Sequence, residues 1–505
     1  MMNDFKLNPL FTDYAVLARN KEIRVFGTAC PGMRLHAKLT DSMGRLLAED
    51  TAVTDGTGTF IAYLPPQEVN TRCTLCVSDG VNEKICCDVC IGDVYLAAGQ
   101  SNMELELRNS DDGDALLKKH ENPLVRYYNV PKYAVLSEEA EEANMQTRWQ
   151  RVLPGTGQDM SAAAYHFAML LSAQINVPIG IIDCYWGGTS VSCWMREETL
   201  RSITEGVRYL DEYSAKCAGK TEEQYLEEEK VFYADMAAWD RKAADLRQSR
   251  PDITSQELNR ILGPYPWKPP VGPLSPYRPA GLAYTMMERV EPATLTGVLY
   301  YQGEEDTART DRYDILLSAF FGQLRKRFRN PLLPILNVQL PMWIEAGAKD
   351  SFLWPRLRMA QQSVCDNMRN TDLAVLIDQG EYDNIHPTNK RVVGERLYYC
   401  ALRTVYHQPA PQSPYPVDAY IRDGQLFVVL NEAITAPEDL AEPLMEVAAV
   451  DGEYVPAKVI IRDDTLVLRA DGIERPVKAR YAWTDYAKAP FFGVNGLPLR
   501  PFVIE

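Results

Sequence analysis

The chain has 505 residues, of which 46% are hydrophobic and 24% are charged. This length exceeds what one hydrophobic core usually organises, and the apolar fraction excludes disorder as the main state, so we expect two or three domains. The formal net charge of −16 argues against nucleic acid and anionic membranes as partners, because most of the surface would repel phosphate groups.

The first twenty residues contain neither a cationic start nor an uninterrupted apolar run, which predicts no secretory signal in the sequence as written. The most apolar stretch, residues 161–186, is interrupted by polar residues and predicts no membrane span. Residues 1–90 contain short apolar runs separated by turn signals such as PGM and TDGTGT. This spacing is typical of antiparallel strands and predicts an N-terminal β-sandwich-like domain.

Five cysteines crowd into the end of this first region. Cys73 and Cys76 form one C-x-x-C pair and Cys87 and Cys90 another, which leaves a tetrahedral zinc site open as an alternative. The apolar, β-leaning sequence around them favours buried strand cysteines, and we predict no metal and no cofactor. Reduced thiols fit a cytoplasmic location, which we expect for this protein.

From residue 91 to about residue 405, apolar strands alternate with helices, as in GDVYLAAGQSN followed by SAAAYHFAMLLSAQ. This alternation predicts an α/β domain with a parallel sheet. Residues 197–275 interrupt it with charged helices and a proline-rich loop, which we interpret as a solvated helical insertion. Residues 406–505 return to alternating apolar and polar residues and predict a C-terminal β-rich region.

The first candidate for chemistry is Ser101 in GQSNM, which follows the buried strand VYLAA. A serine in a tight turn at the end of a strand exposes its hydroxyl beside backbone N–H groups, as a nucleophile requires, although the same position suits a helix N-cap. The second candidate is His386 in DNIHPTNK, with Asp383 three residues earlier. This pattern favours a general base with an acid on the same loop, although a lone histidine is usually structural.

Two further loops follow buried strands and suit an oxyanion hole. In WGGT, Gly188 brings a backbone N–H near a substrate without a side chain in between, although a plain turn would also explain the glycines. In YQGEED, the side-chain amide of Gln302 offers a second donor. Because parallel α/β sheets place their sites at the carboxyl ends of the strands, we expect these elements to converge at one edge.

The four blocks GQSNM, WGGT, YQGEED and IHPTNKRVVGERL, in this order, resemble those of the sialate O-acetylesterase family of the SGNH-hydrolase superfamily. The resemblance extends to NPLFTDYAVLARN near the start and to ARYAWTDY and NGLPLRPF near the end, so it covers nearly the whole chain. It implies a three-layer α/β/α core of residues 91–405, flanked by the two β-rich regions.

The resemblance also implies the role of each matching residue. Ser101 corresponds to the nucleophile, His386 to the general base and Asp383 to the acid, with a backbone carbonyl or another carboxylate as the alternative to Asp383. The Ser101 and Gly188 N–H groups and the Gln302 amide correspond to the oxyanion hole. We also predict substrate contacts at Gln100, Asn102, Trp186 and Glu304.

The implied reaction is removal of acetyl groups from sialic acids through an acetyl-enzyme. Activity is expected to rise as His386 loses its proton near its ordinary pKa of about 6.5. Other acetylated sugars, including xylo-oligosaccharides, are the alternative substrates, and a non-catalytic carbohydrate-binding protein is the alternative from another class. Trp186, Trp194 and Trp267 suit either stacking on a sugar or core packing, and the oligomeric state stays open.

Overall fold

The fold is described from a computed structural model of residues 5–250, 253, 255–263, 265–267, 269–437 and 444–505. The N-terminal region is built from strands. In chain order they are β1 (Lys6–Leu7), β2 (Val16–Ala18), β3 (Ile23–Thr28), β4 (Arg34–Asp41), β5 (Leu46–Val53), β6 (Thr59–Leu64), β7 (Asn70–Ser78) and β8 (Glu83–Gly99). Antiparallel pairing gives one sheet in the order β1-β3-β6 and a second group in the order β5-β4-β7-β8.

Strand β8 links this region to the rest of the molecule. Its first half pairs with β7, and from Asp93 onward it pairs with strands of the central sheet. Its residues from Val89 to Gly99 are all buried, since sheet or helix covers both faces. The predicted boundary near residue 90 falls inside this strand, and the division of the chain into domains stays a prediction.

The central region alternates strands and helices. In chain order they are α1 (Ser101–Glu104), α2 (Gly113–Lys119), β9 (Asn122–Asn129), α3 (Glu138–Gln146), β10 (Gln150–Val152), α4 (Ala162–Ile175), β11 (Ile179–Tyr185), α5 (Val191–Trp194), α6 (Glu197–Arg201), α7 (Thr204–Cys217), α8 (Glu222–Ser249), α9 (Ser255–Leu262), α10 (Gly281–Thr285), β12 (Gly297–Tyr301), α11 (Tyr313–Arg327), β13 (Ile335–Val338), α12 (Leu353–Asn367), β14 (Thr371–Ala374) and α13 (Lys390–Thr404).

The central sheet has the order β10-β9-β11-β8-β12-β13-β14, and every neighbouring pair is parallel except β10 with β9. Strands β11, β12 and β13 are buried along their whole length, because helices pack on the sheet. The mixed α/β class predicted from the alternating pattern is therefore confirmed. The sequence prediction did not include β9, whose run NPLVRYYN has a proline and an arginine among its apolar residues.

Helices α6 to α9 lie within the predicted insertion. The longest, α8, begins with a capping box, in which the Thr221 hydroxyl accepts the Gln224 N–H and the Gln224 side chain accepts the Thr221 N–H. These two bonds satisfy N–H groups that a helix start otherwise leaves unpaired. This part of the chain therefore contains helices, and α8 has a defined start.

The C-terminal region is again built from strands. They are β15 (Pro416–Arg422), β16 (Gln425–Leu430), β17 (Ile434–Thr435), β18 (Met445–Ala448), β19 (Val455–Pro456), β20 (Lys458–Arg462), β21 (Thr465–Arg469), β22 (Lys478–Tyr481), β23 (Phe492–Gly493) and β24 (Phe502–Ile504). Two antiparallel sheets have the orders β15-β16-β21-β20 and β19-β18-β22-β24. A hydrophobic cluster joins their inner residues to Met342 and Ile377 of the central region, so the two regions share a core.

The cysteines of the first region lie on β7 and β8. Cys73, Cys86 and Cys90 are buried, as predicted, whereas Cys87 is exposed and Cys76 is intermediate. Burial is the first cause that raises the pKa of Cys90 to about 11. Within the described ranges, no cluster of three or more histidine, cysteine, aspartate or glutamate residues is arranged to hold a metal ion. None of the described helices has the length and apolarity needed to cross a membrane.

Candidate active site

Three strands of the central sheet end side by side. Gly99 at the end of β8 pairs with Tyr185 of β11 on one side and with Tyr301 of β12 on the other. Gly99 has a φ of +142°, and a Cβ there would lie 2.0 Å from the Tyr301 carbonyl oxygen, so the close approach requires glycine. The loops that follow these three strands contain Ser101, Gly188 and Gln302, which therefore lie at one edge of the sheet.

Ser101 and His386 contact each other directly. Ser101 is the first residue of α1, and His386 lies on the loop before α13. The His386 Nε2 is 2.8 Å from the Ser101 Oγ, although the two residues are 285 positions apart in the chain. This distance is within the range for proton transfer between a nucleophile and its base.

The loop that holds His386 is tied to the turn that holds Ser101. The Asn102 amide donates to the Ile385 carbonyl at 2.9 Å, and the His386 N–H donates to the Asn384 Oδ1 at 3.1 Å. Asn102 is 1% exposed. Its hydrogen bond holds the carbonyl of Ile385, the residue before His386. Asn102 therefore helps to keep His386 next to Ser101.

Asp383 lies on the same loop as His386, with a φ of +60°. Its Oδ1 accepts the Ala346 N–H at 2.7 Å, and its Oδ2 is buried without a hydrogen-bond partner among the described residues. In this part of the chain we find no hydrogen bond between Asp383 and His386. The predicted orienting role of Asp383 stays a prediction.

Gly187 and Gly188 lie beside the serine. A Cβ at Gly187 would be 3.3 Å from the Ser101 Cβ, which places this loop against the catalytic turn. Gly188 has a φ of +70°, and a Cβ there would lie 2.1 Å from Cζ2 of Trp267, so this ring packs directly on the glycine. Among the described residues we find no hydrogen bond from the Ser101 or Gly188 N–H. Both are available as oxyanion donors.

Gln302 lies on the third loop and is 0% exposed. Its Nε2 donates to the Thr189 carbonyl at 3.2 Å and to the Asp306 Oδ2 at 2.6 Å. Its Oε1 accepts the Tyr313 hydroxyl at 2.6 Å. Both hydrogens of the Gln302 amide therefore bond to other protein groups. The oxyanion role of Gln302 stays a prediction, and it requires that the bond to Thr189 or the bond to Asp306 breaks.

Three of the predicted substrate contacts, Gln100, Glu304 and Trp186, differ in how far solvent reaches them. Gln100 is 2% exposed, and its Oε1 accepts the N–H groups of Gly303 and Glu305 at 3.3 Å each. Glu304 is buried as well, whereas Trp186 is half-buried. Gln100 therefore connects the serine turn to the third loop, and Trp186 is the most accessible of the four residues proposed to contact a substrate.

A buried lysine near His386 is a residue that the sequence prediction missed. Lys390 is 1% exposed, and its Nζ donates to the Asn102 Oδ1 at 2.6 Å. The Asn102 amide also donates to the Glu304 Oε1 at 2.5 Å, so the three side chains form one network. A signal for it is present in the sequence, because Lys390 opens a helix whose next buried positions include Val393, Gly394 and Leu397.

The network affects the charge of His386. One side of His386 is open to solvent, but protein atoms surround much of its ring. This burial and, to a smaller extent, the positive charge of Lys390 lower the pKa of His386 to about 4. Burial likewise lowers the pKa of Lys390 to about 7 and raises the pKa of Glu304. The base is therefore neutral well below the pH of about 6.5 expected from an unperturbed imidazole.

A Lys390→Met variant tests this charge effect. Between about pH 4 and pH 7 the ammonium disfavours protonation of His386, so its removal raises the pKa of the base. We expect the acid limb of the kcat/KM profile to lie below pH 6.5 in the wild type and to move upward in the variant. Initial rates of aryl acetate hydrolysis from pH 4 to pH 8 measure the shift independently of the maximal rate.

Arg391→Met is the matched control, because this neighbouring cation on α13 acts on His166 rather than on His386. Its acid limb should coincide with that of the wild type. If the profile of Lys390→Met also stays in place, the lysine charge does not control the base.

The arrangement provides a serine hydroxyl, a neutral imidazole that can take its proton, and two backbone N–H groups for an oxyanion. These are the parts of an acyl-transfer site that works without a metal.

The chain is similar to known carbohydrate acetylesterases. The family model described as carbohydrate esterase, sialic acid-specific acetylesterase matches residues 91–218 and 273–401. Sialate O-acetylesterase of Mus musculus is 23% identical over 99% of this chain and 94% of its own length. The corresponding Homo sapiens protein is 22% identical over 95% of this chain and 88% of its own.

A crystal structure of a carbohydrate acetylesterase from Xanthomonas citri superposes with a TM-score of 0.75. It is 25% identical in sequence, and the match covers 99% of this chain and 100% of that one.

Proposed function

Because the chain belongs to the carbohydrate esterase family of sialic acid-specific acetylesterases, we propose that it removes O-acetyl groups from sialic acids through an acetyl-enzyme on Ser101. Membership makes it a carboxylic ester hydrolase of acetylated carbohydrates. The observation that supports the serine mechanism most is the 2.8 Å contact between the Ser101 Oγ and the His386 Nε2.

In the proposed reaction the His386 Nε2 takes the Ser101 proton while the Oγ attacks the acetyl carbonyl carbon. The Ser101 and Gly188 N–H groups stabilise the oxyanion, and the imidazolium then gives its proton to the departing sugar oxygen. Water, deprotonated by the same imidazole, releases acetate from Ser101. We retain Gln302 as a third donor and Asp383 as the acid that orients His386, since the Asp383 Oδ2 has no partner in the described part of the chain.

The sialate substrate rests on the family, whose matching relatives are sialate O-acetylesterases. Other acetylated sugars, such as xylo-oligosaccharides, are the second candidate, because the related Xanthomonas citri structure is that of a carbohydrate acetylesterase. A non-catalytic binding protein fits less well, since it needs no serine held against a histidine.

Acetate release from a panel of esters tests the substrate. The panel contains 9-O-acetyl sialic acid, 4-O-acetyl sialic acid, acetylated xylo-oligosaccharides and an aryl acetate. We expect the highest kcat/KM for one of the sialic acids. A preference for the xylo-oligosaccharides would replace the substrate but keep the esterase, whereas hydrolysis of none of the esters would contradict both.

The finer structural expectations are also proposals. We infer that the central region is a three-layer SGNH-type core, in line with a parallel sheet that has helices packed on it. We also propose that the domains divide at about residues 90 and 405. A cytoplasmic location is a separate proposal. Expression of residues 91–405 alone would test the domain division. Fractionation of the source cells would test the location.

A further inference from the structure

A large cleft lies beside the candidate active site, between α8 and the residues Tyr265, Pro266, Trp267 and Pro270. Its volume is about 1040 Å³, more than enough for a sugar ring. The α8 side chains along it recur at helical spacing and form one face of the helix: Gln224, Glu227, Glu228, Val231, Phe232 and Asp235. We call this space the α8 cleft.

The α8 cleft shares a wall with the catalytic loops. Trp267 lines the cleft, and the same ring packs on Gly188 of the oxyanion loop. Trp267 also donates a hydrogen bond to Glu305, on the loop after β12. Burial raises the pKa of Glu305, and this hydrogen bond partly offsets the increase. A molecule in the cleft would therefore lie next to the group bound at Ser101.

Packing contacts join the two walls near Lys220, which lines the cleft. The Lys220 Nζ donates to the Val271 carbonyl at 3.1 Å, and a Cβ at Gly272 would lie 2.1 Å from the Tyr225 ring. Trp267 is further held edge-on by Phe232, with ring centroids 6.0 Å apart. These contacts join the two walls, which fits a preformed binding site.

The chemistry of the walls favours a neutral polyol. Glu227, Glu228 and Asp235 supply carboxylates against the ammonium groups of Lys216 and Lys220, and Lys220 already pairs with Glu228 at 2.6 Å. This balance repels a further anionic group but offers acceptors for hydroxyl hydrogens. The aromatic wall offers an apolar face for the C–H side of a sugar ring.

We propose that the α8 cleft binds a neutral sugar residue linked to the acetylated sugar, so that the enzyme favours acetylated oligosaccharides over acetylated monosaccharides. This inference rests on the proposed function, and it gives the charged face of α8 a role that the sequence did not indicate. The neighbouring residue binds along α8 while Ser101 attacks the acetyl group.

Two substrate pairs test this proposal: acetylated xylose against acetylated xylotriose, and 9-O-acetyl sialic acid against 9-O-acetyl sialyllactose. Within each pair, only neutral sugars are added. We expect kcat/KM to rise about tenfold with the longer member of the pair that the wild type hydrolyses, because remote contacts contribute binding energy to the transition state.

Val231→Arg would fill the α8 cleft, since Val231 is 51% exposed and lies on its wall. It should remove most of the gain from the longer substrates and leave aryl acetate hydrolysis within about twofold, because the aryl ester does not reach the cleft. Leu226→Arg is the matched control, a 45% exposed residue of the same helix outside the cleft lining, and should keep the gain. Asp235→Ala is a second variant that weakens the gain without added bulk.

Equal kcat/KM within each pair, or a gain that survives both cleft variants, would overturn the inference and leave the esterase function intact. A wild type that hydrolyses the aryl acetate but none of the sugars would instead contradict the proposed carbohydrate substrate, and the inference with it.

Discussion

A Ser101→Ala variant is expected to lose acetate release by about 10⁴-fold or more, because the reaction then lacks the atom that attacks the ester. The hydroxyl contacts His386 at 2.8 Å, and we find no other side-chain bond for it among the described residues. Its removal should therefore leave the fold intact. Aryl acetate hydrolysis followed at saturating substrate measures the loss, and thermal unfolding should give nearly the wild-type Tm.

Ser110→Ala is a suitable control on the same stretch of chain. Its hydroxyl donates to the Leu107 carbonyl at 2.8 Å, and among the described residues it forms no hydrogen bond with His386. This variant should keep full activity. Turnover by Ser101→Ala near the wild-type rate would show that another group attacks the ester.

A Gly188→Ala variant is expected to lower kcat by about 10²-fold to 10³-fold, comparable to the removal of one oxyanion donor. Two effects act together at this position. The φ of +70° is costly for alanine, and the new methyl would lie 2.1 Å from the Trp267 ring. Either the ring or the loop must move, and movement of the loop displaces the Gly188 N–H that we propose as an oxyanion donor.

Gly472→Ala separates backbone strain from this collision, because Gly472 has a φ of +82° and a Cβ there would have no atom within 4 Å. It should lower stability slightly without any effect on kcat. Indole fluorescence of the Gly188 variant should change as Trp267 shifts. An unchanged kcat in Gly188→Ala would remove this N–H from the oxyanion hole.

Several strands of the central sheet and the loops at their ends could be predicted from the sequence, because buried apolar runs that end in small or polar residues are local features. Ser101, Gly188 and Gln302 each follow such a run, and register places the three strand ends side by side. The fold at the site was therefore accessible from local patterns and from the resemblance of the four blocks.

Contacts between distant segments were not accessible in this way. Lys390 interacts with Asn102 and Glu304, which are 288 and 86 positions away along the chain. No local pattern therefore shows that this lysine lowers the pKa of His386. Trp267 was named as one of three tryptophans that suit stacking or core packing, but only the structure shows it on Gly188. Trp194, by contrast, is buried and donates to the Thr189 hydroxyl at 3.0 Å.

The central claim is that Ser101 is acetylated during turnover, and mass spectrometry of the rapidly quenched enzyme tests it most directly. With excess aryl acetate, we expect a mass increase of one acetyl group on the peptide that contains Ser101 and no increase in the Ser101→Ala variant. Full turnover with no acetyl group on this peptide, or with the label on another residue, would contradict the account.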